Sequence, residues 1–282
     1  MRGLAETTVG SPVPPFSSRC PQTARARNFL ALEKGRNMNN SDSPRKLYLL
    51  QLSASTLALP GGRAMEMICA AYLIETRHGK HILIDTGLPH GFARPPGAPP
   101  SRENRNVLEH LEALALAPSA IGTVICTHFD VDHAGYHDCF PAAEFVVQRA
   151  HYQLARSGHG RFAAARSHWD HPSLRYRLVD GDVELFPGLR LLETSGHCAG
   201  HQSVLVRLLR TGAALLAIDA VMLQSQFTPD RKPGPTDDHP ELLVASTRKL
   251  LNIVERESVS LVVFGHDGSQ WPSLKKAPEF YD

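Results

Sequence analysis

Cysteine is scarce in this 282-residue sequence and badly placed for cross-linking. The five residues, Cys20, Cys69, Cys126, Cys139 and Cys198, form no CxxC pair and are odd in number. That argues against a disulfide framework and for a reducing cytoplasm. No apolar run is long enough to span a bilayer, so no membrane partner is expected. No run of like charge exists, and 30 Lys plus Arg against 28 Asp plus Glu leaves a net charge of +2. A nucleic acid partner is therefore not expected. No short repeat marks a solenoid. The N-terminal stretch also lacks the uncharged core of a secretory signal. Residues 1–45 are rich in Pro, Ser, Arg and Asn and read as a disordered extension. An organelle-targeting peptide, or a gene start set upstream of Met38, are the other readings.

The apolar fraction of 42% suits a globular core, so residues 46–282 are expected to form one domain. KLYLLQLS, MICAAYLIE and KHILIDTG read as successive strands bounded by Gly and Pro. LPHGFARPPGAPP (88–100) is too rich in Pro and Gly for regular structure. SRENRNVLEHLEALALA follows as a helix, with Ser101 as its cap. IGTVICTH and AEFVVQ read as strands, RAHYQLAR as a short helix, and 157–173 as a polar loop. YRLVD, LRLLET, SVLVRLLR and ALLAIDA form a second strand series. HPELLVASTRKLLNIVERE is a helix, and SLVVFGHD the last strand. This order fits two packed sheets with helices outside better than one doubly wound parallel sheet.

Four apolar strands end in potential metal ligands. IGTVIC runs into His128, Asp130, Asp132 and His133; LRLLETSG into His197; ALLAI into Asp219; and LVVFG into His266. Loops leaving carboxyl ends of strands are where layered α/β proteins build sites. His128 with Asp130, and Asp132 with His133, can serve two ions about 3.5–4 Å apart. Asp219 can bridge them with its two oxygens, while His197 and His266 complete one ion each. Seven protein ligands leave room for a bridging hydroxide and a substrate oxygen. Each residue alone has a plainer explanation, such as a packed histidine or a helix-capping aspartate; the set does not. Asp85 reads as a structural acid holding a loop. His137 and His201 read as supporting or structural, and His151, His159, His168 and His171 as solvated or packing residues. Cys198, beside His197, reads as a small loop filler.

In the order LIDTG (83–87), THFDVDHAG (127–135), TSGHCAGHQS (194–203), AIDA (217–220) and FGHD (264–267), the motifs resemble the metallo-β-lactamase superfamily. GHQSV, AYLIETRHGKHILIDTG and the ending FGHDGSQWPSLKKAPEFYD are most similar to its N-acyl homoserine lactonase group, the quorum-quenching enzymes. That resemblance implies an α/β fold, a four-layer αββα sandwich. It also implies a dinuclear metal centre, usually zinc, and hydrolysis of a lactone ring. Carried over, the ligands are His128, Asp130, Asp132, His133, His197, Asp219 and His266. Two positions depart from the family pattern. Asp130 replaces a histidine, and Met222 replaces a tyrosine that contacts the substrate carbonyl.

The expected reaction is attack of the metal-bridging hydroxide on the carbonyl of a small lactone or ester. Asp132 would carry a proton to the leaving oxygen. Tyr136 is a candidate stand-in for the missing tyrosine, although packing is the plainer reading. Two dications, a hydroxide and three aspartates sum to about zero, where the usual pattern is about one unit positive. Asp130 is therefore expected to retune the site: zinc stays the first expectation for its two ions, and manganese or iron becomes an option through the added oxygen ligand. The alternatives are another ester or thioester hydrolase of the superfamily, a di-iron redox protein, and a non-catalytic metal protein. A homodimer is compatible with the chain.

Overall fold

The structure is a computed structural model that describes residues 42–58, 61–62, 64–92, 101–103 and 105–282. The expected extension over 1–45 therefore lies, up to residue 41, outside the described residues. In the larger of the chain's two compact units, Met38–Asp282, the first sheet contains β1 (Pro44–Ala58), β2 (Ala64–Thr76), β3 (His81–Ile84), β4 (Ser101–Glu103), β5 (Ile121–Ile125), β6 (Glu144–Gln148) and β7 (Arg175–Val179). Their order is β4-β1-β2-β3-β5-β6-β7. Strands β1 to β3 pair antiparallel, and β3, β5, β6 and β7 pair parallel. The second sheet, in the order β12-β11-β10-β9-β8, contains β8 (Val183–Phe186), β9 (Leu189–Glu193), β10 (Gln202–Leu208), β11 (Gly212–Ile218) and β12 (Leu261–Phe264).

Period-two alternation assigns each strand side chain to a layer. Leu47, Leu49, Ile74 and Ile84 of the first sheet meet Leu191, Val204, Val206 and Leu216 of the second in a buried interlayer. Their neighbours Leu50, Leu73, Leu83 and Val124 face the other way. There they pack with Val107 and Leu111 of α1 (Val107–Ala113), Ala155 of α2 (Arg149–Arg156) and Trp169 of α3 (Arg166–Trp169). On the far side, Leu205, Leu215 and Ala217 pack with Leu250 and Ile253 of α4 (Pro240–Arg256). Helix, sheet, sheet, helix is the four-layer sandwich that was expected.

Three local expectations need correction. Ser101 does not cap α1; Ser101–Glu103 is strand β4, paired with β1. Asn106 is the cap, in a reciprocal capping box with Glu109. The segment 157–173 is not a plain loop: it holds a 3-10 turn, Gly160–Ala165, and α3. Strand β8 (Val183–Phe186) had no counterpart in the sequence reading.

Candidate metal centre

The ends of β5, β9, β11 and β12 converge at the seam between the sheets. At the end of β11, Ile218 adopts φ 52°, rare for a β-branched residue, and the chain turns there to present Asp219. A Cβ on Gly265 would lie 2.5 Å from Ile218 O and 3.0 Å from Asp219 Oδ1. Only glycine lets the loop carrying His266 come this close.

All seven expected ligands meet here, in three overlapping groups: His128, Asp130 and His197; His128, His133 and Asp219; Asp132, His133 and His266. Asp219 reaches the four ligand rings, His128 and His197 in one set and His133 and His266 in the other, with its two oxygens. Its Oδ2 lies 3.8 Å from His128 Nε2 and 3.3 Å from His197 Nε2. Its Oδ1 lies 3.5 Å from His133 Nε2 and 3.1 Å from His266 Nε2, which is also 3.2 Å from Oδ2. Asp130 Oδ2 completes the first set, 3.5 Å from His128 Nε2 and 3.2 Å from His197 Nε2. Asp132 Oδ2 completes the second, 3.8 Å from both His133 Nε2 and His266 Nε2. Ligands about 2.0–2.1 Å from a tetrahedral ion stand roughly 3.3 Å apart, so these spacings suit a cation. His128 Nε2, His133 Nε2 and Asp219 Oδ1 are buried without a hydrogen-bond partner, which burial without an ion would penalise.

Each histidine is held from behind, as metal-facing imidazoles need. Thr127 Oγ1 lies 3.0 Å from His128 Nδ1, and Asp85 Oδ2 lies 2.8 Å from His133 Nδ1. Asp237 Oδ1 lies 3.1 Å from His197 Nδ1, and Ile68 O lies 2.7 Å from His266 Nδ1. Asp85 also accepts from Thr127 N at 2.8 Å and Thr127 Oγ1 at 2.6 Å. It is thus the structural acid expected, and it orients two ligand rings at once. His151 accepts from Phe129 N at 2.8 Å and directs Nδ1 at Ala199 O, also at 2.8 Å. It ties the two ligand loops together, which is more than the packing role expected of it. His201 Nδ1 pairs with Thr194 Oγ1, and its ring sits 5.0 Å from that of His128. Burial pushes the Cys198 thiol up, consistent with a loop filler.

The field at this seam favours positive charge. Burial pulls His266 down, but Asp219 and Asp132 overcome it and hold the ring at about 9. Burial is likewise outweighed at His133, which Asp132, Asp219 and Asp85 raise well above the ordinary histidine value. Protons and metal ions compete for such nitrogens.

Sequence reasoning missed Arg161. Its Nε and Nη2 donate to Asp130 Oδ1 and Oδ2 at 2.7 and 2.6 Å, and Nη2 lies 2.6 Å from His197 Nε2. Asp130, Asp219 and Asp237 draw His197 up to about 9 against its burial. The guanidinium opposes them: it only donates, so this contact requires His197 Nε2 to be an unprotonated acceptor. Asp237 was missed too. Buried Arg231, 3.8 Å from Asp237, offsets its charge.

A cleft of about 520 Å³ opens onto the centre. Asp130, Asp132, Arg161, His197, Asp219 and His266 line its floor, while Met67, Ile68, Leu88, Phe92, Val131 and Met222 give it an apolar wall. Leu88 and Phe92 follow β3, Met222 and Thr236 follow β11, Met67 and Ile68 lie on β2, and Val131 lies in the loop after β5. Met222 has no proton to donate, and the hydroxyls along the cleft belong to Ser53, Ser55 and Thr236. Tyr136 lines a neighbouring cavity instead.

The family model described as the metallo-beta-lactamase superfamily matches residues 65–266. The chain belongs to that superfamily. An N-acyl homoserine lactonase of Bacillus thuringiensis is 31% identical over 243 residues, covering 82% of this chain and 94% of the relative. The N-acyl homoserine lactonase AttM of Azorhizobium caulinodans is 31% identical over 262 residues, covering 84% and 98%. A solved N-acyl homoserine lactone hydrolase, with N-hexanoyl-L-homoserine bound at its catalytic metal center, superposes with a TM-score of 0.74 at 28% identity. It covers 85% of this chain and all (100%) of that one. No helix among the described residues is long and apolar enough to cross a membrane.

Proposed function

We propose that this superfamily member is a metal-dependent hydrolase that opens the ring of an N-acyl homoserine lactone. Two divalent ions would be held, one by His128, Asp130 and His197, the other by Asp132, His133 and His266, with Asp219 shared. The observation that carries the reading is the cleft: it joins an acid- and histidine-lined floor to an apolar wall. A compact polar ring with an acyl tail has that same division. Zinc is the first choice, because Arg161 engages both oxygens of Asp130. That weakens the case for manganese or iron built on an added carboxylate.

When bound, the ions supply Lewis-acid polarisation of the carbonyl and acidification of water. The chain supplies the rest. Asp132, with its side chain 30% exposed at the cleft, takes a proton and returns it to the leaving oxygen. Met67, Ile68, Phe92 and Met222 exclude water along the acyl chain. The partners behind the four histidines fix the Nε2 atoms on the centre, so little reorganisation is needed during reaction. The described cysteines are all free thiols, the state a reducing cytoplasm maintains.

The test is ring opening of N-hexanoyl homoserine lactone, followed by acid release, with zinc-loaded protein. Turnover is expected, and longer acyl chains should lower KM. Asp132→Asn should cut kcat by about a hundredfold or more, with ion content measured on the same sample. Absence of turnover on acyl homoserine lactones of every chain length, beside hydrolysis of a thioester, would sink the lactone reading.

A further inference from the structure

The two halves of the cluster are unequal. Asp130 and His197, in the first half, have a cation of the chain itself against their metal-facing atoms. Arg161 forms a two-pronged clamp on Asp130, through Nε to Oδ1 at 2.7 Å and Nη2 to Oδ2 at 2.6 Å. The same Nη2 reaches His197 Nε2 at 2.6 Å. Nη1 is tied back to His197 O at 3.0 Å, Thr236 O at 2.8 Å and Asp238 Oδ1 at 2.9 Å. Among the described residues, no arginine or lysine makes an ion pair with Asp132 in the second half.

The acceptors limit what can share them. His197 directs Nδ1 at Asp237 Oδ1, which places the ring proton there and leaves one lone pair on Nε2. One lone pair cannot serve an N–H and a metal ion together. Arg161 also keeps its charge, because a guanidinium does not deprotonate in a protein. An ion entering the first half must therefore displace Nη2 and settle beside a fixed positive charge. An ion entering the second half meets only acids and histidines.

We propose that Arg161 is a built-in counter-cation of the first half, and that the chain loads its two ions in order. The position of Asp132, His133 and His266 fills first and tightly. The position of His128, Asp130 and His197 fills second and weakly, by displacing Nη2. Asp130 and Arg161 then act as one device. A carboxylate in place of a neutral ligand adds a buried charge, which a guanidinium offsets. The earlier charge sum of about zero also returns to about one unit positive once Arg161 is counted. This proposal rests on the reading of the cluster as a metal site, and not on the identity of the substrate.

The experiment is a zinc titration of the metal-free full chain against a chromophoric chelator, which reads ion number and affinity without substrate. Wild type is expected to bind one ion about a hundredfold more tightly than the other. Arg161→Gln should tighten the weak ion by about tenfold or more and leave the tight one unchanged. Two wild-type affinities within about tenfold of each other would overturn the proposal. So would an unshifted weak affinity in Arg161→Gln. Arg161 also links three segments, so Arg161→Met is the companion variant: it keeps most of the apolar stem, loses the charge and the fork, and must shift the weak affinity in the same direction. The wild-type titration stands alone should Arg161→Gln not fold. Ordered loading in a protein that fails to open lactones would sink the substrate reading and leave this one standing.

Discussion

His137 is fully buried, and neither ring nitrogen has a hydrogen-bond partner. Its ring lies 5.2 Å from Phe145 and 6.0 Å from Phe129. Burial, helped by the charges of His168 and His133, pushes its pKa down to about 3. An exposed histidine titrates near 6.5, so the folded state prefers the neutral ring. The stability tied to this group is whole above pH 6.5 and is lost as pH falls towards 3. By pH 5 the loss is about 2 kcal/mol. His151, pulled down to about 4 by its burial, adds a loss of the same sign. His137→Phe should therefore raise stability at pH 7 by about 1–2 kcal/mol and flatten the decline between pH 7 and 5. Urea unfolding at both pH values checks it; an unchanged decline would show that His137 is not the neutral buried group described. The sequence marked His137 as supporting or structural, but not its burial among aromatic rings. A ligand ring follows a strand directly, whereas a buried histidine is visible only once the surrounding aromatic residues are packed.

The element that carries Arg161 shows why part of the site escaped the sequence. Phe162, Ala165 and Trp169, spaced three and four apart, are buried in the outer core of the first sheet. That spacing is a helical stripe, but Gly158, Gly160 and three nearby histidines made the segment read as loop. The cap of α1 was legible as well. Asn106 has glutamate three residues on, as a capping box requires, and Ser101 does not. Arg161 was not legible, because its partner Asp130 lies 31 residues away and only the tertiary fold joins them. The segment also supports the ligand loop. Trp169 stacks on Phe129 with centroids 4.8 Å apart and an interplanar angle of 6°, and its Nε1 donates to Phe162 O at 3.0 Å. Phe129 lies between two ligands, His128 and Asp130. Trp169→Ala is expected to cost about 3–5 kcal/mol and to weaken zinc binding. Trp169→Phe, which keeps a ring on Phe129, should recover most of both. Thermal unfolding and a zinc competition assay on the two variants would separate this from a cavity effect confined to the core.

At the scale of the whole molecule, the centre is a seam. His128, Asp130, Asp132 and His133 follow β5 of the first sheet, while His197, Asp219 and His266 follow β9, β11 and β12 of the second. The apolar interlayer binds the sheets along their length, but the seam brings four acids together: Asp85, Asp130, Asp132 and Asp219. Of these four, Arg161 pairs with Asp130 alone, and Asp85 is buried enough that its carboxyl is pushed up, even with His133 and Thr127 opposing the rise. Without a metal ion, protonated histidines offset these acids across the seam: against its burial, the Asp219 carboxyl is held well below the ordinary carboxylate range by His266, His133 and His197. A metal ion that contacts both sheets takes the place of those protons, and it binds the folded state alone because the unfolded chain scatters its ligands. Zinc at about a hundred times its dissociation constant should then add about 2.7 kcal/mol. For a domain of this size that is a rise in Tm of roughly 5–10 °C. Because the ligands come from both sheets, the whole transition should move as one, with no early step in which a single sheet melts. Calorimetry of the chain with zinc and with excess chelator reads both features. A Tm indifferent to chelator would mean that the cluster holds no ion. Two separate transitions in chelator would mean that the interlayer cannot keep the sheets cooperative, and that the ion fastens two otherwise independent layers.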